Sequence, residues 1–312
     1  MFRWRRNTPD PFIAAMPPAV TEAERIRMAT LCRDCDPLPK AAQAGEVLID
    51  ADGERVQVMH NSLKMIADGY CGEWMTRLIG LCRGHHEPQE ERAFFEIVTR
   101  LPDDAAMIEL GGWWAFYTLW FLQGRPGRRG LVVEPDPRHL AVGEANARRN
   151  GFAPVFITGF AGATAAPPMP FTTESGEQVR IPRLAVPQLM DDNRIDRLDL
   201  LHCDAQGAEL EVLQGCAALF RSQRIRFVIV STHHWLISGD PLTHQRCLEL
   251  IAGCGGRVVA EHDVHESFSG DGLIAAHFGD EPLDWAPVPI SRNRYSTSLF
   301  RNPLYDLAAM RR

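Results

Sequence analysis

The sequence predicts a doubly wound α/β fold, an open and mostly parallel sheet with helices on both faces. Three observations carry that expectation. From residue 106 onward, short apolar runs alternate with segments of helical period, the rhythm of successive βα units. Runs such as Leu131-Val132-Val133 and Phe227-Val228-Ile229-Val230 are apolar throughout rather than at every second position, as strands covered on both faces are. The first run ends on Glu109-Leu110-Gly111-Gly112, where two glycines permit the sharp turn from a strand into a helix.

Taken in order, residues 1–45 read as an irregular or partly helical arm punctuated by Pro9, Pro11, Pro17, Pro18, Pro37 and Pro39. The β-rich runs 47–50 and 55–59 flank Ala51-Asp52-Gly53-Glu54, which predicts a hairpin. Residues 89–100 set Phe94, Phe95, Ile97 and Val98 behind Gln89-Glu90-Glu91-Arg92. That pattern is an amphipathic helix whose first-turn acids complement its dipole. Seven strands are then expected, at 106–110, 130–134, 154–158, 198–203, 226–231, 256–261 and 273–278, with helices at 114–123, 137–150, 187–192, 208–220 and 241–253. The last two strands are joined through Ser267-Phe268-Ser269-Gly270-Asp271-Gly272 without a helix, which predicts an antiparallel final hairpin at one sheet edge. Residues 1–88 are set apart as an N-terminal extension, a lid or an oligomer contact, and 89–312 as the main domain. Substrate specificity is expected in 1–90 and in an insert at 160–185, where Pro167, Pro168 and Pro170 predict an irregular loop over the sheet edge.

Composition narrows the function. A formal net charge of −7 over 312 residues, with the arginines scattered, leaves no basic footprint for a nucleic acid. No run of 18 apolar residues exists to span a membrane. No apolar run follows the basic start Met1–Arg6, so no signal peptide is read and a cytoplasmic location is expected. The eight cysteines suit that compartment as small hydrophobes. Cys32-Arg33-Asp34-Cys35 has the spacing of half a zinc knuckle. No second pair of that spacing is read, since Cys71 and Cys82 stand apart with His85 and His86 beyond. Ordinary thiols and no metal are therefore expected.

In an open α/β sheet the ligand lies at the carboxyl ends of the strands, beside the point where the strand order reverses. Those ends carry Glu109 to Gly112, Glu134-Pro135-Asp136-Pro137, Gly159 to Gly162, Asp204 to Gly207 and Ser231 to Trp235. A dinucleotide site would want G-x-G-x-x-G after the first strand. Here only two glycines stand there, followed by Trp113-Trp114 and preceded by an acid. A carboxylate at that point repels a pyrophosphate, whereas Glu134 suits two ribose hydroxyls. The two acids favour an adenosyl amino acid over NAD.

The stretches Ile108-Glu109-Leu110-Gly111-Gly112, Val133-Glu134-Pro135-Asp136-Pro137, Asn146 to Gly151 and Leu198 to Gly215, with Glu87-Pro88 upstream, resemble the FkbM family of methyltransferases over roughly residues 85–235. The resemblance implies a Rossmann-like class I methyltransferase sheet of seven strands with the last one antiparallel. It also implies S-adenosyl-L-methionine (SAM) as cofactor and methylation of a hydroxyl oxygen. Carried over, Glu109 takes the acidic place, Gly111 the turn, Glu134 the ribose contact, and Asp204 the acid beside the methyl donor; Gly112, Trp113, Pro135 and Asp136 complete the expected cofactor site. The chain departs from the pattern in two places. Gly112-Trp113-Trp114-Ala115 stands where the pattern has Ala-Asn-x-Gly, so an asparagine contact is missing and the two indoles stack on the cofactor, wall off the substrate or simply pack. His202 and Gln206 replace the Lys and Glu that flank the fourth-strand acid.

Methylation of a hydroxyl needs alignment and a base, and histidine titrates near neutrality. His233 or His234, beyond the fifth strand, is the candidate base, paired with Asp204 across the cleft. His85-His86-Glu87-Pro88 is read as part of a lid, and His262 and His265 as surface residues. Three functions are carried forward: an O-methyltransferase for a small or glycosidic hydroxyl substrate, a SAM-binding protein without catalysis, and a nucleotide-binding oxidoreductase. A homo-oligomer is left open.

Overall fold

The computed structural model describes residues 20–173, 176–280 and 287–300; the opening stretch, with its prolines up to Pro18, lies outside them. Helix α1 (Glu22–Ala29) starts at Thr21, whose hydroxyl accepts the Glu24 N–H at 3.2 Å while the Glu24 carboxylate accepts the Thr21 N–H at 3.1 Å, a reciprocal cap. The expected hairpin is β1 (Val47–Ile49) with β2 (Arg55–Val58), its turn tied by Asp50, which accepts the N–H groups of Asp52 and Glu54. A third antiparallel strand, β3 (Lys64–Ile66), extends it. Helices α2 (Glu73–Leu81) and α3 (Pro88–Val98) follow. The extension does not stand apart from the main domain: Met59, Leu63, Met65, Met75 and Ile79 share one core with Phe94, Phe116 and Phe121.

The main sheet starts with β4 (Ala106–Leu110), α4 (Phe116–Leu122), β5 (Arg129–Glu134), α5 (Pro137–Asn150) and β6 (Val155–Thr158). A small excursion then contains β7 (Phe160–Ala161), β8 (Ala166–Thr172) and β9 (Gln178–Leu184). The sheet resumes with α6 (Val186–Asp192), β10 (Leu198–Cys203), α7 (Glu209–Arg221) and β11 (Ile225–Thr232). The short α8 (Trp235–Ser238), α9 (Thr243–Gly253), β12 (Arg257–His262) and β13 (Gly272–His277) complete it. The strand order is β12-β13-β11-β10-β4-β5-β6, parallel except for β13, which runs antiparallel to both neighbours. This is the seven-stranded class I sheet that the resemblance implied.

The final antiparallel hairpin forms at one edge of the sheet, as expected: β12 is outermost and β13 lies between it and β11. Every residue of β13 is buried, whereas β12 exposes Arg257 and Val258. A strand apolar on both faces belongs inside the sheet. One detail corrects the sequence reading: His262 is not a surface residue. It is 1% exposed, because the chain beyond β13 packs along the outer edge of β12, where the Val288 N–H donates to Val259 O. His265 is half-buried and packs edge-on against Phe300.

The insert at 160–185 is likewise more ordered than expected. Strands β7, β9 and β8 form a second three-stranded sheet. A register shift between Ala166 and Met169 takes up Pro167 and Pro168, so the residues that cannot donate to a ladder sit in the irregularity.

Among the described residues, no helix is long and apolar enough to cross a membrane. The two faces of the sheet alternate along each strand. Met107, Leu200 and Ile229 face α3 and α4. Ile108, Leu201 and Val228 face α6, α7 and α9. Because β5 and β10 flank β4 on opposite sides, the strand order reverses at β4, and the cleft opens above its carboxyl end.

Candidate active site

The cleft has a volume of about 660 Å³, in the range of a small-ligand site. Its floor is the turn after β4. Gly111 has φ +78°, and a Cβ there would lie 1.7 Å from the carbonyl oxygen of Asp204. A Cβ on Gly112 would lie 2.3 Å from Val132 Cγ1. Only glycine lets this backbone press so closely on the ends of β10 and β5. Glu109 is buried beneath it, and its Oε2 accepts the Thr118 N–H at 3.0 Å. Burial raises the Glu109 carboxyl, against the opposing pull of His202 and the Thr118 bond.

Glu134 closes the next strand. Its Oε2 accepts the Trp113 N–H at 3.0 Å and its Oε1 the Asp136 N–H at 2.9 Å. Each carboxylate oxygen offers two lone pairs, so one remains on each, that on Oε1 beside His139 Nδ1 at 3.5 Å. Pro135 lines the cleft beside it. Asp136 does not. It is buried, and its carboxylate accepts the Arg138 N–H at 2.9 Å as the cap of α5. The expected cofactor contact from Asp136 is therefore a helix cap, the ordinary task of Asp before a proline-led first turn.

The two indoles are walls already engaged with protein rings. Trp113 stacks on His139 with centroids 3.6 Å apart, and its Nε1–H donates to Gly69 O at 3.1 Å. Trp114 stacks on Tyr70 at 4.7 Å. The asparagines of the resemblance serve packing too. Asn146 accepts the Ile66 N–H and donates to Trp114 O, while Asn150 bonds both backbone groups of Lys64. They fasten β3 to α5.

Across the cleft stand Asp204, at the end of β10, and His233, just past β11. His233 Nδ1 lies 2.8 Å from Glu209 Oε1, a buried acid that opens α7. Its Nε2 lies 3.3 Å from Asp204 Oδ1 and 3.8 Å from Asp271 Oδ1. Burial alone would pull the imidazole down, but Asp271, Asp204 and Glu209 outweigh it and hold His233 well above the ordinary histidine range. Asp271, from the loop between β12 and β13, has its carboxyl raised by burial, against the opposing pull of His233. His234 takes no part in the cleft. Its ring stacks on Phe300 at 4.4 Å, and its Nδ1 accepts the Leu236 N–H at the start of α8. Successive residues leaving a strand point to opposite sides, so only one of the two histidines faces the ligand space.

The third wall comes from ahead of the sheet. The segment read as part of a lid lines the cleft with His86 and Glu87, whose backbone N–H groups donate to buried Glu91 at 2.7 and 3.1 Å. Glu87 is held by Tyr117, whose hydroxyl donates to it at 3.1 Å. His202 is paired with buried Glu90 at 2.7 Å, and Ser231 donates to the other Glu90 oxygen at 2.5 Å. Burial pulls His202 down, but Glu90, Glu109 and Asp204 raise it overall. A basic side chain thus stands where the resemblance has Lys. Gln206 adopts φ +48° and points its amide at Asp204 Oδ1 at 3.4 Å.

Asp271, Glu209 and Tyr70 were not singled out from the sequence. Glu209 stood in the quoted fourth-strand stretch, and its spacing of five from Asp204 was the available signal. Asp271 and Tyr70 reach the cleft only through tertiary packing.

The model of the methyltransferase FkbM domain matches residues 97–258, more than half of the chain. No curated protein matches it. Among solved structures, the chain is similar to a precorrin-6y C5,15-methyltransferase from Geobacter metallireducens GS-15, at 15% identity over 61% of this chain and 87% of that one, TM-score 0.41. It is also similar to an O-methyltransferase from Bacillus cereus in complex with SAH, at 16% identity over 61% of this chain and 80% of that one, TM-score 0.39.

Proposed function

The chain belongs to the FkbM domain family of methyltransferases, and on that premise we propose that it methylates a hydroxyl oxygen of a small or glycosidic acceptor with SAM as donor. One observation carries this reading. A single cleft joins the Gly111–Gly112 turn and the half-free carboxylate of Glu134 to a histidine braced by a buried acid, Glu209.

The donor set fits the cofactor. Glu134 has two lone pairs left for the two ribose hydroxyls, and Gly111–Gly112 let the backbone approach the amino-acid portion. The acids Glu109, Asp204 and Asp271 suit a cation rather than a phosphate. When bound, SAM supplies an electrophilic methyl group on a sulfonium.

The chain's own residues do the rest. Glu209 holds Nδ1 of His233, so that Nε2 is the atom turned to the cleft. A neutral His233 accepts the hydroxyl proton at Nε2, with Asp204 and Asp271 stabilising the imidazolium that forms. Tyr70, Trp113 and Trp114 exclude water from one side, and Phe160 and Phe171 of the inserted sheet line the cleft on the other. All eight cysteines are free, in keeping with the cytoplasmic location we propose.

Calorimetry with SAM, its demethylated product and NAD tests the cofactor; binding of NAD alone would overturn the proposal. A panel of hydroxylated sugars and small alcohols, scored by release of demethylated cofactor, then identifies an acceptor. On that acceptor kcat/KM should climb as pH rises above neutrality, because the carboxylates keep His233 protonated below its raised pKa. His233→Gln should flatten that limb and lower kcat by roughly 10²–10⁴-fold, with SAM affinity nearly unchanged. A variant of wild-type kcat would remove His233 from the reaction. Binding without turnover on any acceptor would favour a non-catalytic SAM-binding role.

A further inference from the structure

Away from the cleft, four segments of the N-terminal part converge on one carboxylate. Cys35 follows α1, His60 lies in the turn between β2 and β3, His85 follows α2, and Glu91 lies in α3. All are buried, at 4%, 2%, 1% and 0% exposure. The ligand-forming atoms of Cys35, His85 and Glu91 lie within 4.8 Å of one another. His85 Nδ1 is 2.5 Å from Glu91 Oε2, and His60 Nδ1 is 3.6 Å from the same oxygen. The His60 ring stacks on His85 with centroids 4.1 Å apart.

We propose that Cys35, His85 and Glu91 form a structural zinc site that joins the N-terminal extension to the methyltransferase domain, with His60, which lies outside that close group but 3.6 Å from the same Glu91 oxygen, turning in as the fourth ligand.

Three features support a cation over a purely hydrogen-bonded cluster. His60 Nδ1 is buried beside the acid and makes no hydrogen bond; leaving such a nitrogen unmet costs about 1–3 kcal/mol. The ligand types are those zinc takes in tetrahedral sites, a thiolate, imidazoles and a carboxylate. Finally, one thiolate and one carboxylate balance the charge of the dication, so the site would be neutral overall, as its burial demands. On binding, the Cys35 thiol releases its proton to solvent and the S–Zn bond forms.

The backbone is shaped to bring these groups together. Gly84 has φ +87°, and a Cβ there would lie 2.3 Å from the His60 nitrogen; this contact sets the turn before His85 directly against His60. The partner cysteine of the half-knuckle is not a member. Cys32 Sγ lies 3.6 Å from Ser291 Oγ instead.

The site shares Glu91 with the cleft wall, so it is tested on the full chain by metal content and spectra rather than by methyl transfer. Protein from zinc-replete medium should carry one zinc per chain by elemental analysis, and chelation should lower Tm. The chelated chain should take up one equivalent of Co²⁺ with tetrahedral visible bands and a thiolate-to-cobalt charge-transfer band. Cys35→Ser should abolish that charge-transfer band, His60→Gln should weaken Co²⁺ affinity at least tenfold, and Cys254→Ser should leave both intact. If Cys35→Ser does not fold, the wild-type spectrum decides alone. Absence of stoichiometric zinc or cobalt from the wild type, or cobalt uptake without the thiolate band, overturns the proposal.

Discussion

Glu134 offers the sharpest test of the cofactor half of the cleft, because its carboxylate has two duties that can be separated. Each oxygen already accepts one backbone N–H, from Trp113 and from Asp136, and each keeps one lone pair for a ribose hydroxyl. Hydrogen bonds to a charged partner contribute about 1.5–3 kcal/mol each. Glu134→Ala would remove both proposed ribose contacts, yet water enters the space, so a net loss of about 3 kcal/mol is expected, roughly 150-fold in SAM affinity. The same change strips two backbone donors of their acceptor and should lower unfolding stability by about 2 kcal/mol. Glu134→Gln keeps the shape and one acceptor oxygen, turns an N–H₂ toward one backbone donor, and should weaken SAM by roughly tenfold. Titration calorimetry gives the affinities, and urea unfolding of the same preparations gives the stabilities. A Glu134→Gln protein with wild-type stability and SAM affinity within twofold would show that the carboxylate only braces the loop.

Two further outcomes follow from geometry and burial. Gly111→Ala should abolish SAM binding and cost well over 2 kcal/mol in urea unfolding, since its Cβ would sit 1.7 Å from Asp204 O. Gly53→Ala, at φ +82° with nothing within 4 Å, should lose only the left-handed backbone cost of about 1–2 kcal/mol; equal losses at both sites would refute the close-approach argument. His262 is 1% exposed and burial depresses its pKa from 6.5 to about 4. The unfolded chain therefore binds a proton below 6.5 that the folded chain refuses, and stability falls as pH drops through that window. Between pH 7 and 5 this group alone should cost about 2 kcal/mol, and His262→Gln should shrink the acid dependence by that amount; an unchanged slope would disprove it.

The strands of the main sheet, the helices between them and the glycine turn were legible in the sequence because each depends on local periodicity or on a single backbone requirement, whereas the helix at Glu73–Leu81 and the strands of the insert were not. Glu109, Glu134 and Asp204 were legible for the same reason, as acids at strand ends. What failed depended on neighbours distant in the chain. Asp136 looks like a cofactor ligand until its helix is seen to begin one residue later. His233 and His234 are equivalent as residue types and are separated only by the direction in which each leaves β11. His262 appeared peripheral because the extra cover on β12 comes from residues 287–300, and Asp271 reaches His233 only because β13 inserts inside the sheet. The prolines of the insert were read as breaking structure, whereas a register shift accommodates two of them.

These placements bear on how one cleft handles charge. Glu109, Glu134, Asp204 and Asp271 line a space in which His233 faces Asp204 and Asp271, with Arg25 also in the lining and acting on Asp271. Such a wall favours a positively charged ligand and disfavours phosphate. On the proposed reading, a cationic cofactor held beside Asp204 would compete with the imidazolium for the same carboxylates and so lower the pKa of His233 toward the range where the ring works as a base. The raised pKa of His233 would then be no obstacle to the proposed role, and the pH dependence of kcat/KM, which reports on the free protein, is where the histidine should be visible.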